Sequence, residues 1–187
     1  DKPTISDEEY DQLARQLRRL EAENPGLKSP LTPTEKVGLV ATSFDKVKHN
    51  FPMLSLDNTF SAQEIVDFFT RKLSEANIPA DNVEFLVEPK IDGLSLALHY
   101  NKFGLLEKAV TRGDGSTGDN VTNNARTIAS IPKLIDPKVC PLEVRGEVYF
   151  ELGRFKTLND ELAAAGEDVF ANPRNAASGT MKRKDAE

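Results

Sequence analysis

Residues 142–150, LEVRGEVYF, put Leu142, Val144, Gly146, Val148 and Phe150 on one parity and Glu143, Arg145, Glu147 and Tyr149 on the other. Successive side chains of an extended chain point to opposite faces, so residues sorted with a period of two require a strand with one charged face. A second run, EPKIDGLSLAL at 88–98, places Glu88, Lys90 and Asp92 on the same parity as Leu94, Leu96 and Leu98. Read within one strand over 83–100, it sets three charges and three leucines on a single face. A further strand-like run at 105–112 comes after NKFG, which has the composition of a hairpin loop, so the two runs are expected to pair.

Helical periodicity fills most of the rest. Ser6 and Glu9 form a capping-box pattern ahead of Tyr10, Leu13, Leu17 and Leu20, and NPG at 24–26 ends that helix. Ser61 and Glu64 repeat the pattern before Ile65, Phe68, Phe69 and Leu73. A short helix is expected at 121–128 and a longer one at 154–165, stopped by Gly166, with FANPRNAASGT at 170–180 as a loop. Residues 27–51 break every period and read as an irregular connector between a small helical subdomain, 1–42, and a main body, 43–187. Helices separated from hairpin-joined strands predict an α+β fold with mostly antiparallel sheets and flanking helices.

The bulk properties exclude several classes. With 24 basic and 30 acidic residues the formal charge is -6, so no overall positive field draws the chain to nucleic acid or anionic lipid. The single Cys140 supports neither a disulfide framework nor a thiolate zinc site, which points to a reducing, cytoplasmic setting. No apolar run approaches the roughly 18 residues of a membrane span, and the first ten residues lack the pattern of a signal peptide.

Lys90 between Glu88 and Asp92 is open to two readings. A lysine flanked by acids is more often a solvated strand face. Against that, Pro89 removes a ladder donor and Gly93 gives up a side chain, as happens where something approaches the backbone closely. A lysine nucleophile must first lose a proton, which from an ordinary pKa near 10.4 costs roughly 4 to 5 kcal/mol at pH 7. Neighbouring carboxylates oppose that loss, so a divalent cation, an arginine or desolvation would have to offset them. Arg112 is the candidate arginine. TRGDGSTGDN at 111–120 lacks the ending of a Walker loop and the spacing of a calcium loop, and reads as a turn with a helix cap at Asp119. Asp7, Tyr10 and Asp11 share one surface of the first helix. Either the acids complement the helix N-terminus, or the three form a pocket for a cationic aromatic group.

These segments, in this order, resemble the N-terminal part of the bacterial NAD+-dependent DNA ligases. EPKIDG is similar to the adenylation motif Lys-x-Asp-Gly, TRGDGSTGDNVT to the segment after it, LEVRGEVYF to the next nucleotidyltransferase motif and FANPRNAASGT to the loop beyond. ISDEEYD and PMLSLDN resemble two segments of the NAD+-using branch. The likeness spans essentially the whole chain, and six segments in register are far more specific than Lys-x-Asp-Gly alone.

The resemblance implies an incomplete nucleotidyltransferase fold preceded by a helical subdomain for the nicotinamide mononucleotide half of NAD+. It also implies that Lys90 attacks the α-phosphorus of NAD+ to form a lysine-AMP intermediate for sealing nicks in DNA replication and repair. Asp92 would support the lysine, with Mg2+ as the accompanying cation, and Glu88 would read the adenine amino group. Arg112 and Glu147 would contact ribose and phosphates, Ser55 and Leu56 would line the pocket, and Arg174 would border it. Asp7, Tyr10 and Asp11 would hold the nicotinamide mononucleotide half. The family pattern makes this a piece cut at both ends, expected to be monomeric, to bind DNA weakly or not at all, to seal no nicks and to adenylate itself poorly. Nicked duplex DNA would be the partner of the full-length, nucleoid-associated enzyme, with zinc only in its other parts. The rival readings are an ATP-dependent ligase or capping-type nucleotidyltransferase, and a non-catalytic nucleotide-binding module.

Overall fold

The structure is a computed structural model that describes residues 4–29, 32–34 and 44–184. The expected boundary at 42–43 and the side chain of Asp7 lie outside what is described.

Five strands and five α-helices are present among these residues: α1 (Asp7–Glu23), β1 (Lys46–Lys48), α2 (Ala62–Ala76), β2 (Leu94–Tyr100), β3 (Leu106–Thr111), β4 (Thr117–Asp119), α3 (Thr122–Thr127), β5 (Leu142–Val148), α4 (Leu152–Ala164) and α5 (Pro173–Met181). The fold is α+β with antiparallel sheets, as the sequence predicts. β2 is the centre of a three-stranded sheet ordered β3-β2-β5, and β1 pairs with β4 in a two-stranded ribbon. The expected hairpin is β2–β3, in register from Leu96 opposite Thr111 to His99 opposite Lys108, with Gly104 at φ 79° in the connection.

The leucine row does what its period demands. Leu96 is buried with Ala109, Val121, Ala125 and Met181, and Leu94, Leu98 and Val148 pack around this cluster. The core therefore lies between one face of the sheet and the helices α3 and α5.

Several expectations need correction. The run 83–100 is a strand only from Leu94 onward. Residues 84–92 pair with no strand among the described residues and are exposed, because alternation shows only which side chains would share a face, while a strand also needs a partner for its N–H groups. Phe85 packs on Phe69 of α2 with ring centroids 4.3 Å apart, while Leu86 and Val87 stay 84% and 92% exposed. Residues 170–180 are not a loop throughout: Asn172 accepts from the Asn175 N–H, Pro173 takes the first helical position, and buried Ala176 and Ala177 drive α5 onto the core. Asp119 does not cap a helix but ends β4, and the N-cap of α3 is Val121. The supposed connector contains β1.

The capping box of α1 is complete, with the Glu9 N–H donating to Ser6 Oγ at 3.2 Å and the Ser6 N–H to Glu9 at 2.9 Å. That of α2 is half formed, since the Glu64 carboxylate accepts from the Phe60 N–H instead. On α1 the expected apolar face is largely open, with Tyr10, Leu13 and Leu20 each more than half exposed.

His99 lies on β2 with Nδ1 3.8 Å from Glu143, and its buried Nε2 has no hydrogen-bond partner among the described residues. Burial holds its pKa below the ordinary histidine value, the Glu143 carboxylate opposing this only in part. The unfolded chain thus binds a proton that the folded chain refuses, and stability should fall as pH drops through the ordinary histidine range near about 6.5. Thermal unfolding between about pH 8 and pH 5.5 should show a smaller acid-side loss in His99→Gln than in the native chain. Equal losses would mean that His99 is not the group responsible.

Candidate functional site

Two cavities meet at one stretch of chain. The first, about 830 Å³, lies between α1 and α2 and is lined by Tyr10, Asp11, Ser55, Leu56 and Phe60 among others. The second, about 550 Å³, lies at the end of the sheet and contains Lys90, Asp92, Arg112, Glu147 and Arg174, again with Ser55 and Leu56. Of the expected site residues with described side chains, only Glu88 lines neither; it stands on the exposed stretch before Lys90.

Lys90 owes its place to the junction at Gly93, three residues further along the chain. A Cβ on Gly93 would lie 2.1 Å from the Val148 carbonyl oxygen, so only glycine lets the chain cross β5 there. The close approach expected at Gly93 is thus that of a neighbouring strand. The Glu147 carboxylate completes the junction, accepting from the Gly93 N–H at 3.1 Å and from Ser95 Oγ at 2.6 Å. The charged face of β5 is in this respect a fastening for the lysine segment. Beside it, Arg174 at the start of α5 lies 3.5 Å from Asp92, leaving that carboxylate partly compensated.

Arg112 comes directly after β3, on a tight turn. Gly113 has φ 58°, and a side chain there would strike the Thr117 carbonyl at 1.8 Å. Asp114 accepts from the N–H groups of Thr117 and Ser116 at 2.7 and 2.8 Å, and these bonds lower its pKa. The stretch 49–55 runs alongside. The His49 N–H donates to the Ser116 carbonyl and the Met53 N–H to that of Gly115. Buried His49 also sets Nε2 at 3.1 and 3.2 Å from the Thr111 and Arg112 carbonyls, two acceptors that require the proton on Nε2. Arg112 Nη1 reaches Ser55 Oγ at 3.4 Å.

Two residues that sequence reasoning passed over hold Ser55 and Leu56 at the junction of the cavities. One is His49. The other is Arg145, whose guanidinium donates to the Phe51 and Pro52 carbonyls at 2.8 and 2.9 Å and to Glu143 at 2.8 Å. Its alternation marked Arg145 as part of a charged stripe, and nothing local in sequence pairs it with residues more than ninety positions away. On the helical side, Arg15 ties α1 to α2, 3.7 Å over the Phe60 ring and 3.6 Å from Glu64. No group of three or more His, Cys, Asp and Glu residues suited to a metal ion occurs among the described residues.

If the Gly93–Val148 crossing fixes the lysine segment, Gly93→Ala should cost about 1–3 kcal/mol in chemical denaturation, the usual penalty for overpacking. Glu147→Gln, which keeps one acceptor, should cost about 1 kcal/mol. An unchanged midpoint for Gly93→Ala would show that the segment can shift freely.

Comparison with known proteins gives the family. Residues 41–187 match the family model described as NAD-dependent DNA ligase adenylation domain, and residues 1–38 match that described as DNA ligase-like, N-terminal NAD+-binding domain. The chain is 48% identical over 185 residues to a DNA ligase of Petrotoga mobilis, with 98% of this chain and 27% of that protein covered. It is 49% identical over 188 residues to one of Marinobacter nauticus, at 98% and 27% coverage, and 49% identical over 190 residues to one of Xanthobacter autotrophicus, at 100% and 26%. It thus spans about a quarter of the length of the curated relatives it matches. With its lysine cavity in the one matched region and Tyr10 and Asp11 in the other, the chain belongs to the NAD-dependent DNA ligase family and carries that family's adenylation-domain and NAD+-binding-domain sequence.

Proposed function

We propose that this chain carries the lysine and most of the pocket for the first step of DNA ligation, transfer of AMP from NAD+ to Lys90, a step carried out by the full-length protein. The observation that carries the reading is that the Lys90 cavity and the Tyr10–Asp11 cavity adjoin at Ser55 and Leu56, as two halves of one dinucleotide would require. In this reading residues 1–42 receive the nicotinamide mononucleotide half, with Tyr10 stacking on the cationic ring while Asp7 and Asp11 balance its charge. Residues 43–187 receive the AMP half.

Lys90 Nζ attacks the α-phosphorus as a free amine. A P–N bond forms, the P–O bond to the bridging oxygen breaks, and nicotinamide mononucleotide leaves with that electron pair. The lysine proton passes to solvent. Such transfers need little covalent help from the protein, and positioning with charge neutralisation carries most of the rate. Arg112 and Arg174 supply positive charge in the same cavity, and Asp92 aligns the lysine while held by Arg174. Glu147 has both oxygens engaged by Gly93 and Ser95 but keeps lone pairs for a ribose hydroxyl. Glu88 needs the exposed 84–92 stretch to fold over the adenine for its amino group to be read.

Mg2+ commonly binds through substrate phosphates and one or two carboxylates. Asp92 is the carboxylate that would meet it, and the ion would supply neutralising charge. In the full-length enzyme AMP then passes to the 5′-phosphate of a nick in duplex DNA, and the 3′-hydroxyl displaces it. That work belongs to replication and repair in the bacterial cytoplasm.

The full-length protein incubated with NAD+ and Mg2+ should gain the mass of one AMP, and Lys90→Arg should gain none. Tyr10→Ala should weaken NAD+ binding by about tenfold or more and leave AMP binding within about twofold. Adduct formation in Lys90→Arg would overturn the mechanism. Equal weakening of NAD+ and AMP by Tyr10→Ala would overturn the division between the two cavities in favour of an ATP-type site.

A further inference from the structure

The cavity that contains Lys90 also holds a buried carboxylate, Asp119. Asp119 ends β4, directly opposite Lys46 of β1 in the strand register, and its side chain is 5% exposed. Its Oδ1 lies 2.5 Å from Lys46 Nζ, and its Oδ2 lies 3.3 Å from the Nζ of Lys182, the residue that closes α5. Three elements far apart in sequence thus converge on one buried group, and all three residues line the cavity of Lys90.

The charges decide what this arrangement is for. A carboxylate this buried needs compensation, and losing one partner of such a pair is costly because the remaining charge is left without it. One lysine would satisfy a simple structural pair. Here two ammonium groups share one carboxylate. Both lysine side chains stay open to the cavity, 49% and 31% exposed, while the acid beneath them is covered. Each ammonium has three N–H donors and spends at least one on Asp119, so donors remain for a ligand.

The base of the arrangement is rigid. The Asp119 N–H donates to Thr111 Oγ1 at 2.9 Å, and the Thr111 carbonyl accepts from His49. Gly118 packs so tightly on Thr111 that an added Cβ would lie 1.7 Å from its carbonyl oxygen.

We infer that Asp119 is a positioning residue that holds Lys46 and Lys182 on the cavity wall as an ammonium pair for the pyrophosphate of the dinucleotide. The inference rests on the reading of the cavity as the NAD+ site and adds to it a phosphate-binding pair fixed by a buried acid. Asp119 itself meets no substrate. It lowers the entropy lost when two flexible lysines are fixed on a phosphate, and Arg112 and Arg174 act beside them.

Calorimetric titration of the full-length protein with NAD+, AMP and adenosine tests this, since adenosine fits the same pocket without phosphate. Lys46→Met should weaken NAD+ and AMP by about tenfold and leave adenosine within about twofold. Asp119→Asn should do the same to both phosphorylated ligands, and Asp119→Glu should recover part of the loss. Should Asp119→Asn fail to fold, Lys46→Met still decides. The inference is overturned if Lys46→Met binds NAD+ as the native protein does, or if it loses adenosine as severely as AMP. A native protein that bound neither NAD+ nor AMP would instead bring down the reading of the cavity itself, and this inference with it.

Discussion

The Glu147 carboxylate, bonded to the Gly93 N–H and the Ser95 hydroxyl, is the contact on which the site depends. Among the described residues the segment that carries Lys90 pairs with no strand before Leu94, so its position is set where it joins the sheet. There Gly93 crosses β5 against the Val148 carbonyl, and Glu147 holds the crossing from one side. Asp92, one residue back, meets Arg174 from α5. Lys90 therefore hangs from a junction defined by steric fit and two hydrogen bonds, with the sheet on one side and α5 on the other.

The second constraint is electrostatic. In the sequence, Glu88 and Asp92 place a negative charge on either side of Lys90, the lysine that the proposed transfer uses as its nucleophile. The cavity answers with Arg112, Arg174, Lys46 and Lys182, delivered by a glycine turn, a helix start, a short strand and a helix end. Asp119 keeps two of these cations from drifting or repelling each other out of place. A field built from fixed charges costs little reorganisation when a phosphate arrives, which suits phosphoryl transfer.

Much of this was legible in the sequence, for specific reasons. The leucines of β2 are core decisions, and period two reports them directly. On β5 the same alternation finds the strand but not its covered side, since Leu142 and Val144 are exposed while Glu143 and Glu147 are half-buried. The box at Ser6 and Glu9 is a local hydrogen-bond pattern, so its residues suffice to announce it. What escaped depends on distant partners. Alternation extends the strand back through Lys90 because it cannot see whether a partner strand lies beside residues 84–92, and among the described residues none does. β1 is three residues long and exists because β4 pairs with it. The helix at Pro173–Met181 was hidden in residues typical of a loop, although Asn172 and Pro173 are a good cap and first turn. Asp119 looked like a helix cap, and only the return of Lys46 and Lys182 from far along the chain reveals its role. Arg145 shows the same limit, since its two carbonyl partners at Phe51 and Pro52 are invisible to any local rule.

The central claim is that the geometry selects Lys90 as the nucleophile from among three lysines in one cavity. Fragmentation mass spectrometry of the full-length protein after reaction with NAD+ locates the adduct. AMP on the peptide containing Lys90, and on neither Lys46 nor Lys182, is the predicted result. AMP on Lys46 or Lys182 would contradict the account, because those two would then be nucleophiles and not the fixed cations that the structure assigns to Asp119.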